Sequence, residues 1–171
     1  QKGLALAKVR EANAAGTGEA NNLAIVAVTG TLAPYPDLQP QSFQTTVATW
    51  APGASIELRW NTANSGTRAA TGPWAERLVV SNASRRVVVL DTSLTHAASL
   101  APGATSARTH TFTLPSGANG YGTFTVFLSL DTANTIAEFN ATDDAEANNT
   151  ASLQATTALD LAVTEVVLPP V

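Results

Sequence analysis

A segment of fifteen residues occurs twice in this chain, and the duplication constrains the fold more than any other feature of the sequence. Residues 8–22 align without gaps with residues 135–149, and seven of the fifteen positions are identical, including a complete Glu-Ala-Asn-Asn run. Further along, the dipeptide Asp37-Leu38 recurs as Asp160-Leu161 after a connection that is four residues shorter. The two spacings, 127 and 123 residues, are domain-sized, so the sequence predicts a tandem array of similar units.

The repeat also predicts where the units begin and end. We expect residues 1–33, with a strand at 4–6, to supply the C-terminal strands of a preceding repeat plus a linker. Residues 34–158 are predicted to form one complete unit, and residues 159–171 the first strand of a following repeat. An isolated pair of strands is marginally stable in water. We therefore expect both end segments to pack on adjoining repeats or on neighbouring chains.

The middle of the chain alternates apolar and polar residues with a period of two, which is typical of strands with one buried face. Two Ala-Pro-Gly-Ala turns, at 51–54 and 101–104, precede such runs, since proline and glycine favour tight reversals. Threonines alternate with apolar residues around Phe112 and Phe124, which predicts threonine on the solvent face. The pattern predicts an all-β, immunoglobulin-like antiparallel sandwich of about seven strands. The predicted strands are residues 55–61, 73–80, 86–90, 109–114 and 121–130, the last being the longest.

The composition excludes several classes of function. Only 13% of the residues are charged and the net charge is −4, which argues against nucleic acid as a partner because its phosphates attract basic surfaces. No apolar run approaches the roughly 18 residues of a membrane-spanning helix, so we expect no membrane insertion. The two histidines, His96 and His110, belong to no catalytic motif, and we expect both to face solvent. We therefore predict that the protein is not an enzyme.

A series of short motifs spans residues 36–156, and their order is informative. The motifs are Asp37-Leu38, Pro52-Gly53, Trp60-Asn61, Trp74, Leu114-Pro115-Ser116-Gly117 and the second Glu-Ala-Asn-Asn run. Their order and spacing resemble a CARDB domain (cell-adhesion-related domain found in bacteria). The resemblance implies a seven-stranded immunoglobulin-like sandwich used in tandem in secreted or surface-attached prokaryotic proteins. The stretch from Ala141 to Ala145 makes the last connection longer than the family pattern.

The last long connection of the complete unit is rich in oxygen-bearing side chains. Asp143, Asp144 and Glu146 are the candidate metal ligands, because Ca²⁺ takes roughly six to eight oxygen ligands. In the other copy of the repeat, Gly16 and Thr17 replace the two aspartates, whereas the shared positions are mostly Glu and Asn. Such residues form local turns and cap backbone N–H groups. Two interpretations stay open: local turn chemistry with no cofactor, and a calcium site.

The three tryptophans are candidates for a carbohydrate platform, since sugars stack on aromatic rings. Trp60 shares a strand face with Ile56 and Leu58, so we expect it in the core. Trp74 opens a predicted strand, and we expect it to be buried as well. Trp50 lies in a loop next to Pro52 and is the only one of the three that is a plausible exposed ring.

The sequence as a whole favours an extracellular or cell-surface repeat unit that acts as a stalk, an adhesin or a filament element. The expected partners are adjacent repeats or neighbouring subunits, with a surface glycan or a protein receptor as further candidates. The alternative is a carbohydrate- or substrate-binding accessory module of a secreted hydrolase. More copies at the same spacing would favour the stalk, and a neighbouring catalytic domain would favour the accessory module.

Overall fold

The structure, a computed structural model, describes residues 12–18 and 26–157 of the chain. These residues belong to two units, one ending at Leu32 and the other beginning at Ala33. The predicted strand at 4–6 and the predicted strand within 159–171 lie outside the described residues.

In the first unit, residues 12–18 form a turn organised by Asn13. The Asn13 carbonyl accepts a hydrogen bond from the Gly16 N–H at 3.0 Å. The Asn13 Oδ1 accepts from the Thr17 N–H at 2.9 Å, and its Nδ2 donates to the Thr17 hydroxyl at 3.1 Å. Gly16 has a φ of 72°, a left-handed conformation that glycine adopts without steric cost. The side chain and carbonyl of Asn13 thus make the hydrogen bonds that hold this turn.

The second unit is a sandwich of two sheets. Its strands are β1 (Leu38–Thr45), β2 (Thr49–Trp50), β3 (Ser55–Asn64), β4 (Trp74–Asn82), β5 (Val87–His96), β6 (Thr105–Thr113), β7 (Thr123–Ser129) and β8 (Thr150–Thr157), with one 3₁₀ turn at Ala118–Gly120. One sheet has the order β1-β3-β6 and the other the order β2-β8-β7-β4-β5. All pairs are antiparallel except the two-residue pairing of β2 with β8. The all-β sandwich prediction is confirmed.

The period-two pattern accounts for the core between the sheets. Most inward positions of β3, β4 and β7 are apolar and almost completely buried, with Thr62, Glu76 and Asn82 among the polar exceptions, and most outward positions carry polar groups. The threonines alternating with Phe112 and Phe124 lie on the outer faces, as predicted, while both phenylalanines are buried. The predicted ranking of strand lengths is wrong, because β7 has seven residues and β3 and β5 have ten each. β5 continues past the predicted residue 90 because its alternation extends to His96.

Both Ala-Pro-Gly-Ala turns reverse the chain into a strand. Gly53 has a φ of 78° and Gly103 a φ of 71°, which a residue with a Cβ adopts only with strain. The Ala54 N–H donates to the Ala51 carbonyl at 3.0 Å, and the Ala104 N–H donates to the Ala101 carbonyl at the same distance. β3 and β6 begin directly after these turns, so the sequence prediction for them is confirmed.

Trp50 is not the exposed ring that its loop-like sequence predicts. The side chain is 1% exposed, and its ring packs on Phe112 and Phe124 with centroid distances of 5.7 and 5.4 Å. Its Nε1–H donates to the Thr45 hydroxyl at 3.2 Å. The short strand β2 turns this residue inward where it pairs with the end of β8. Trp60 and Trp74 are each 2% exposed, as predicted.

Candidate functional site

The start of β1 is held on one side by the turn that follows β3. Asn64 accepts the Asp37 N–H on its Oδ1 at 3.1 Å, and the Ser65 N–H donates to the Asp37 carbonyl at 2.7 Å. The Gly66 backbone packs directly against this segment, because a Cβ there would lie 2.3 Å from the Tyr35 carbonyl oxygen. The Asn-Ser-Gly turn therefore holds residues 35–38 in place by hydrogen bonds and close backbone packing.

Residues 131–149, in the connection between β7 and β8, hold the start of β1 from the other side, and we call them the closing loop. Asp37 is 5% exposed, and its carboxylate accepts hydrogen bonds from three side-chain amides. Asn148 donates to its Oδ1 at 3.0 Å, and Asn140 and Gln39 donate to its Oδ2 at 3.2 and 3.1 Å. Two of these three donors lie in the closing loop, more than 100 residues along the chain from Asp37.

Glu138 makes the innermost contact of the closing loop. One carboxylate oxygen accepts the N–H of Leu38, and the other accepts the Asn149 side-chain amide at 2.9 Å. The Glu138 N–H in turn donates to the Glu146 carboxylate at 3.0 Å. Burial raises the pKa of Glu138 from 4.5 to about 7, although the hydrogen bonds from Leu38 and Asn149 act in the opposite direction.

The first turn of the closing loop is built around Asp131. Its side chain accepts the Thr135 N–H at 3.0 Å, the Thr135 hydroxyl at 2.6 Å and the Ile136 N–H at 2.6 Å. Asp131 has a φ of 41° and is 2% exposed. These bonds satisfy the carboxylate inside the protein and turn Ile136 into the core.

The three predicted calcium ligands lie in the second turn of the closing loop and point to different partners. Asp144 Oδ1 accepts the Asn140 amide at 2.7 Å and the Thr142 hydroxyl at 2.6 Å, and these bonds lower its pKa. The Glu146 carboxylate accepts a hydrogen bond from the Glu138 N–H. Asp143 is exposed and has a φ of 58°. Within residues 12–18 and 26–157, no group of three or more His, Cys, Asp or Glu side chains could hold a metal ion.

The calcium site stays a prediction, and a chelator tests it. If Asp143, Asp144 and Glu146 bind the ion, EDTA should lower the melting temperature of the chain. The combined change of Asp143→Asn and Asp144→Asn should then remove the chelator effect. A melting temperature that is the same with excess Ca²⁺ and with EDTA would contradict calcium binding and leave turn formation as the role of these residues.

A second polar cluster lies between the two sheets, and the sequence did not predict it. Glu76 of β4 is 0% exposed, and its carboxylate accepts the Thr62 hydroxyl at 2.7 Å. Arg108 of β6 donates its Nε–H to the other carboxylate oxygen at 3.0 Å and an Nη2–H to the Thr95 carbonyl at 3.1 Å. His96 Nδ1 lies 3.1 Å from Glu76 Oε1. The cluster therefore links β3 and β6 of one sheet to β4 and β5 of the other.

His96 is buried, which contradicts the solvent-facing position expected for it. It is 3% exposed, and its ring stacks on Trp74 with a centroid distance of 4.2 Å and an interplanar angle of 8°. The signal was present in the sequence, because Leu90, Leu94 and His96 share the inward parity of β5. His110 is half-buried, so the expectation of a solvent-facing side chain is met only in part.

The sequence profile of the CARDB family matches residues 35–153, which is most of the chain. The chain belongs to the CARDB family. The match begins at Tyr35, just before β1, and ends inside β8, so the CARDB unit includes the closing loop. No curated protein is significantly similar in sequence.

Solved CARDB domains have the same fold. A crystal structure of a CARDB domain from Pyrococcus furiosus, in complex with di-metal ions, is 18% identical, with a TM-score of 0.55. It covers 76% of this chain and 100% of that domain. A solution structure of the same domain gives a TM-score of 0.54 at 17% identity, covering 75% and 100% of the two chains. A putative cell surface protein domain from Methanosarcina acetivorans is 23% identical, with a TM-score of 0.49, covering 77% and 99%.

Proposed function

We propose that this CARDB chain is a non-enzymatic repeat unit of a secreted or cell-surface prokaryotic protein, where it acts as a stalk, an adhesin or a filament element. The observation that carries the proposal is the internal duplication. Glu138, Asn140 and Asn148 close the unit onto the start of β1, and identical residues stand at the matching positions of the first copy. Each unit of a tandem array needs its own set of closing residues, so two such sets in one chain are expected of an array.

The outer faces of the sheets fit a role in packing between units. Threonine and serine dominate the outer positions of β6, β7 and β8. Among the described residues, the outer face of the larger sheet carries one ion pair, Arg77 with Asp91 at 2.6 Å. Phe127 stands on the same face and is 50% exposed. A neutral β-branched surface allows close lateral approach without charge repulsion. No helix among the described residues is long and apolar enough to cross a membrane.

Proteins of two and three such units should be semi-rigid rods. Only two residues separate Thr157, the end of β8, from the next Asp-Leu start, and Pro34 and Pro36 restrict the other connection towards extended geometry. The radius of gyration from small-angle scattering should then grow almost linearly with the number of units. Growth with the square root of that number, or a compact particle, would contradict the rod.

A compact two-unit particle would shift support to the accessory-module alternative, which one observation favours. The outer face of the smaller sheet has a groove of about 300 Å³. Its lining includes Ser42, Gln44, Arg59, Asn61 and Thr109, whose hydroxyl, amide and guanidinium groups can bond saccharide hydroxyls. The groove has no exposed aromatic ring in its lining, because Trp60 is buried, and this places the saccharide-binding module second.

A further inference from the structure

The two copies of the repeat share every residue that acts over long range and differ at some of those that act locally. Glu138, Asn140, Asn148 and Asn149 make or support the contacts to Asp37 and Leu38, and all four are identical in the first copy. Of the residues that bond only within the closing loop, Thr142 and Asp144 are Ala15 and Thr17 in the first copy, whereas Glu146 is retained as Glu19. The first copy has therefore kept what is needed to hold the start of a β1 strand.

The part of the first copy that the structure describes has the same local conformation as the closing loop. In the closing loop, the Asp144 N–H donates to Asn140 Oδ1 at 3.1 Å and the Asp143 N–H donates to the Asn140 carbonyl at 3.3 Å. In the first copy, Asn13 accepts the N–H groups of Thr17 and Gly16 in the same two ways. Asp143 and Gly16 also share a positive φ, 58° and 72°. The aligned asparagines thus form the same turn.

The correspondence continues in the sequence through the closing strand, although the described residues 26–30 form no strand in this chain. Continuing the alignment without a gap places residues 23–30 on β8. The inward positions of β8 are Ala151, Leu153 and Ala155, and the matching residues are Ala24, Val26 and Val28. The two sets differ by a single side-chain carbon in total, so the second set fits the same space in the core.

The two valines of this segment are exposed. Val26 is 79% exposed and Val28 is 86% exposed, whereas the aligned Ala155 of β8 is 4% exposed. A strand with two solvent-exposed valines on one face gains free energy by burying them against a sheet, roughly 1.5–3 kcal/mol per side chain when burial is complete. This segment therefore combines the polar residues that contact the start of β1 in the closing loop with apolar side chains whose burial is favourable.

The length of the connection to β1 disfavours the same exchange within one chain. Strand β8 with Asn149 spans eight residue steps, about 26 Å. If residues 23–30 took the place of β8, the chain would have to return over that length from Gly30 to Asp37. Those seven steps reach about 23–25 Å at full extension, before any detour around the sheet edge. A second copy has no such restriction.

We propose that residues 8–30 of one copy of this chain close the sandwich of a second copy, in place of that copy's residues 135–157. In the exchanged assembly Asn13 takes the place of Asn140 beside Asp37 of the second copy. Residues 26–30 lie against β7 in the register of the aligned residues of β8. Strand exchange of this kind links identical chains with native contacts alone, and it does not depend on the tandem array of the proposed function.

The test weakens β8 in the full chain. In Leu153→Pro, β8 loses its place between β2 and β7, because proline is not tolerated in an interior strand. We expect this variant to stay folded by circular dichroism and to run as an oligomer of the 17.6 kDa chain in light scattering. Adding Val26→Pro should abolish both the fold and the oligomer. A folded Leu153→Pro monomer, a Leu153→Pro chain as unfolded as the double variant, or an oligomer that survives Val26→Pro would each overturn the proposal.

A cysteine pair tests the register independently, since the chain has no cysteine. Thr125 lies opposite Gln154 in the β7–β8 pair, and Ala27 aligns with Gln154. In the Leu153→Pro background, Thr125→Cys with Ala27→Cys should form an intermolecular disulfide under mild oxidation. The control pair, Thr125→Cys with Val26→Cys, should cross-link at least tenfold less, because neighbouring residues of a strand face opposite sides. Equal cross-linking of the two pairs, or none in either, would contradict the exchange.

Discussion

Replacing Glu76 by alanine is expected to lower the free energy of unfolding by about 3–5 kcal/mol, one of the largest losses for any polar residue described in this chain. The carboxylate is 0% exposed and accepts bonds from Thr62 and Arg108, with His96 at 3.1 Å. Alanine would remove the acceptor of the Arg108 Nε–H and of the Thr62 hydroxyl and the polar neighbour of the imidazole, and Arg108 would keep its bond to the Thr95 carbonyl. An unpaired charge at a protein interior costs more free energy than the intact pair contributes.

Two further variants separate this effect from the loss of an ordinary ion pair. Glu76→Gln keeps an acceptor for Thr62 and nearly the same volume, so we expect a smaller loss than for alanine. Asp91→Ala removes an Arg77 partner that makes two hydrogen bonds of 2.8 and 2.6 Å, but both groups are exposed. Urea unfolding of the full chain should therefore rank the losses as Glu76→Ala, Glu76→Gln and Asp91→Ala. Equal losses for Glu76→Ala and Asp91→Ala would contradict a structural role for the buried cluster.

The buried cluster explains how the two sheets keep their alignment in a chain without cysteine. Apolar contacts tolerate sliding, whereas Glu76 can satisfy Thr62 and Arg108 in only one arrangement of β4 against β3 and β6. Trp74 stacks on His96 beside it and extends the same constraint to β5. The cluster contributes specificity of packing between the sheets, and the apolar residues around it contribute most of the burial.

The fold was predictable because it depends on local patterns. Alternation identified β3, β4, β6 and β7, and the two Ala-Pro-Gly-Ala turns located the starts of β3 and β6. The buried cluster was not predictable in the same way, because its four members come from four different strands. Alternation shows which face of a strand is buried, but it does not show which strands meet across the core. Trp50 was misplaced for the same reason, since its two aromatic neighbours lie on β6 and β7.

The candidate site was predictable in its members but not in its contacts. The duplication singled out Glu138, Asn140, Asn148 and Asn149, and the sequence offered local turn formation as one role for them. The structure assigns a local role to Asn140 and a long-range role to Glu138, Asn140 and Asn148, because Leu38 and Asp37 lie 100 residues or more away along the chain, while Asn149 supports Glu138. A single sequence carries no information on such a pairing, although the recurrence of Asp-Leu at the next unit pointed to its other half.

Glu138 is expected to make the stability of the chain depend on pH between about 4.5 and 7. Its folded-state pKa is raised above its value in the unfolded chain, so the folded state binds the proton more tightly. The stability that this group contributes is fully present below pH 4.5 and is lost as the pH rises through 7. Other carboxylates, including Asp144 with its lowered pKa, contribute in the opposite direction, so the test compares variants at each pH.

Glu138→Gln isolates the titration. Glutamine keeps an acceptor for the Leu38 N–H, and its amide can donate to Asn149 Oδ1, which is buried and without a partner in the described structure. We expect the variant to match the wild type near pH 5 and to exceed it in free energy of unfolding at pH 8, where the wild-type carboxylate is ionised. Urea titrations at pH 5, 6, 7 and 8 would measure the difference, and a difference that does not change with pH would contradict the raised pKa.

Glu138→Ala separates the closing contact from the charge. Alanine leaves the Leu38 N–H and the Asn149 amide buried without an acceptor, at about 1–3 kcal/mol for each group, so a loss of about 2–6 kcal/mol is expected, larger at pH 5 than at pH 8. Thr142→Ala is the matched control in the same loop, because Thr142 is exposed and bonds only to Asn140 and Asp144. If Glu138→Ala were no more destabilising than Thr142→Ala, the start of β1 would be held by the turn after β3 alone. The recurrence of Glu138 as Glu11 would then lose its structural explanation.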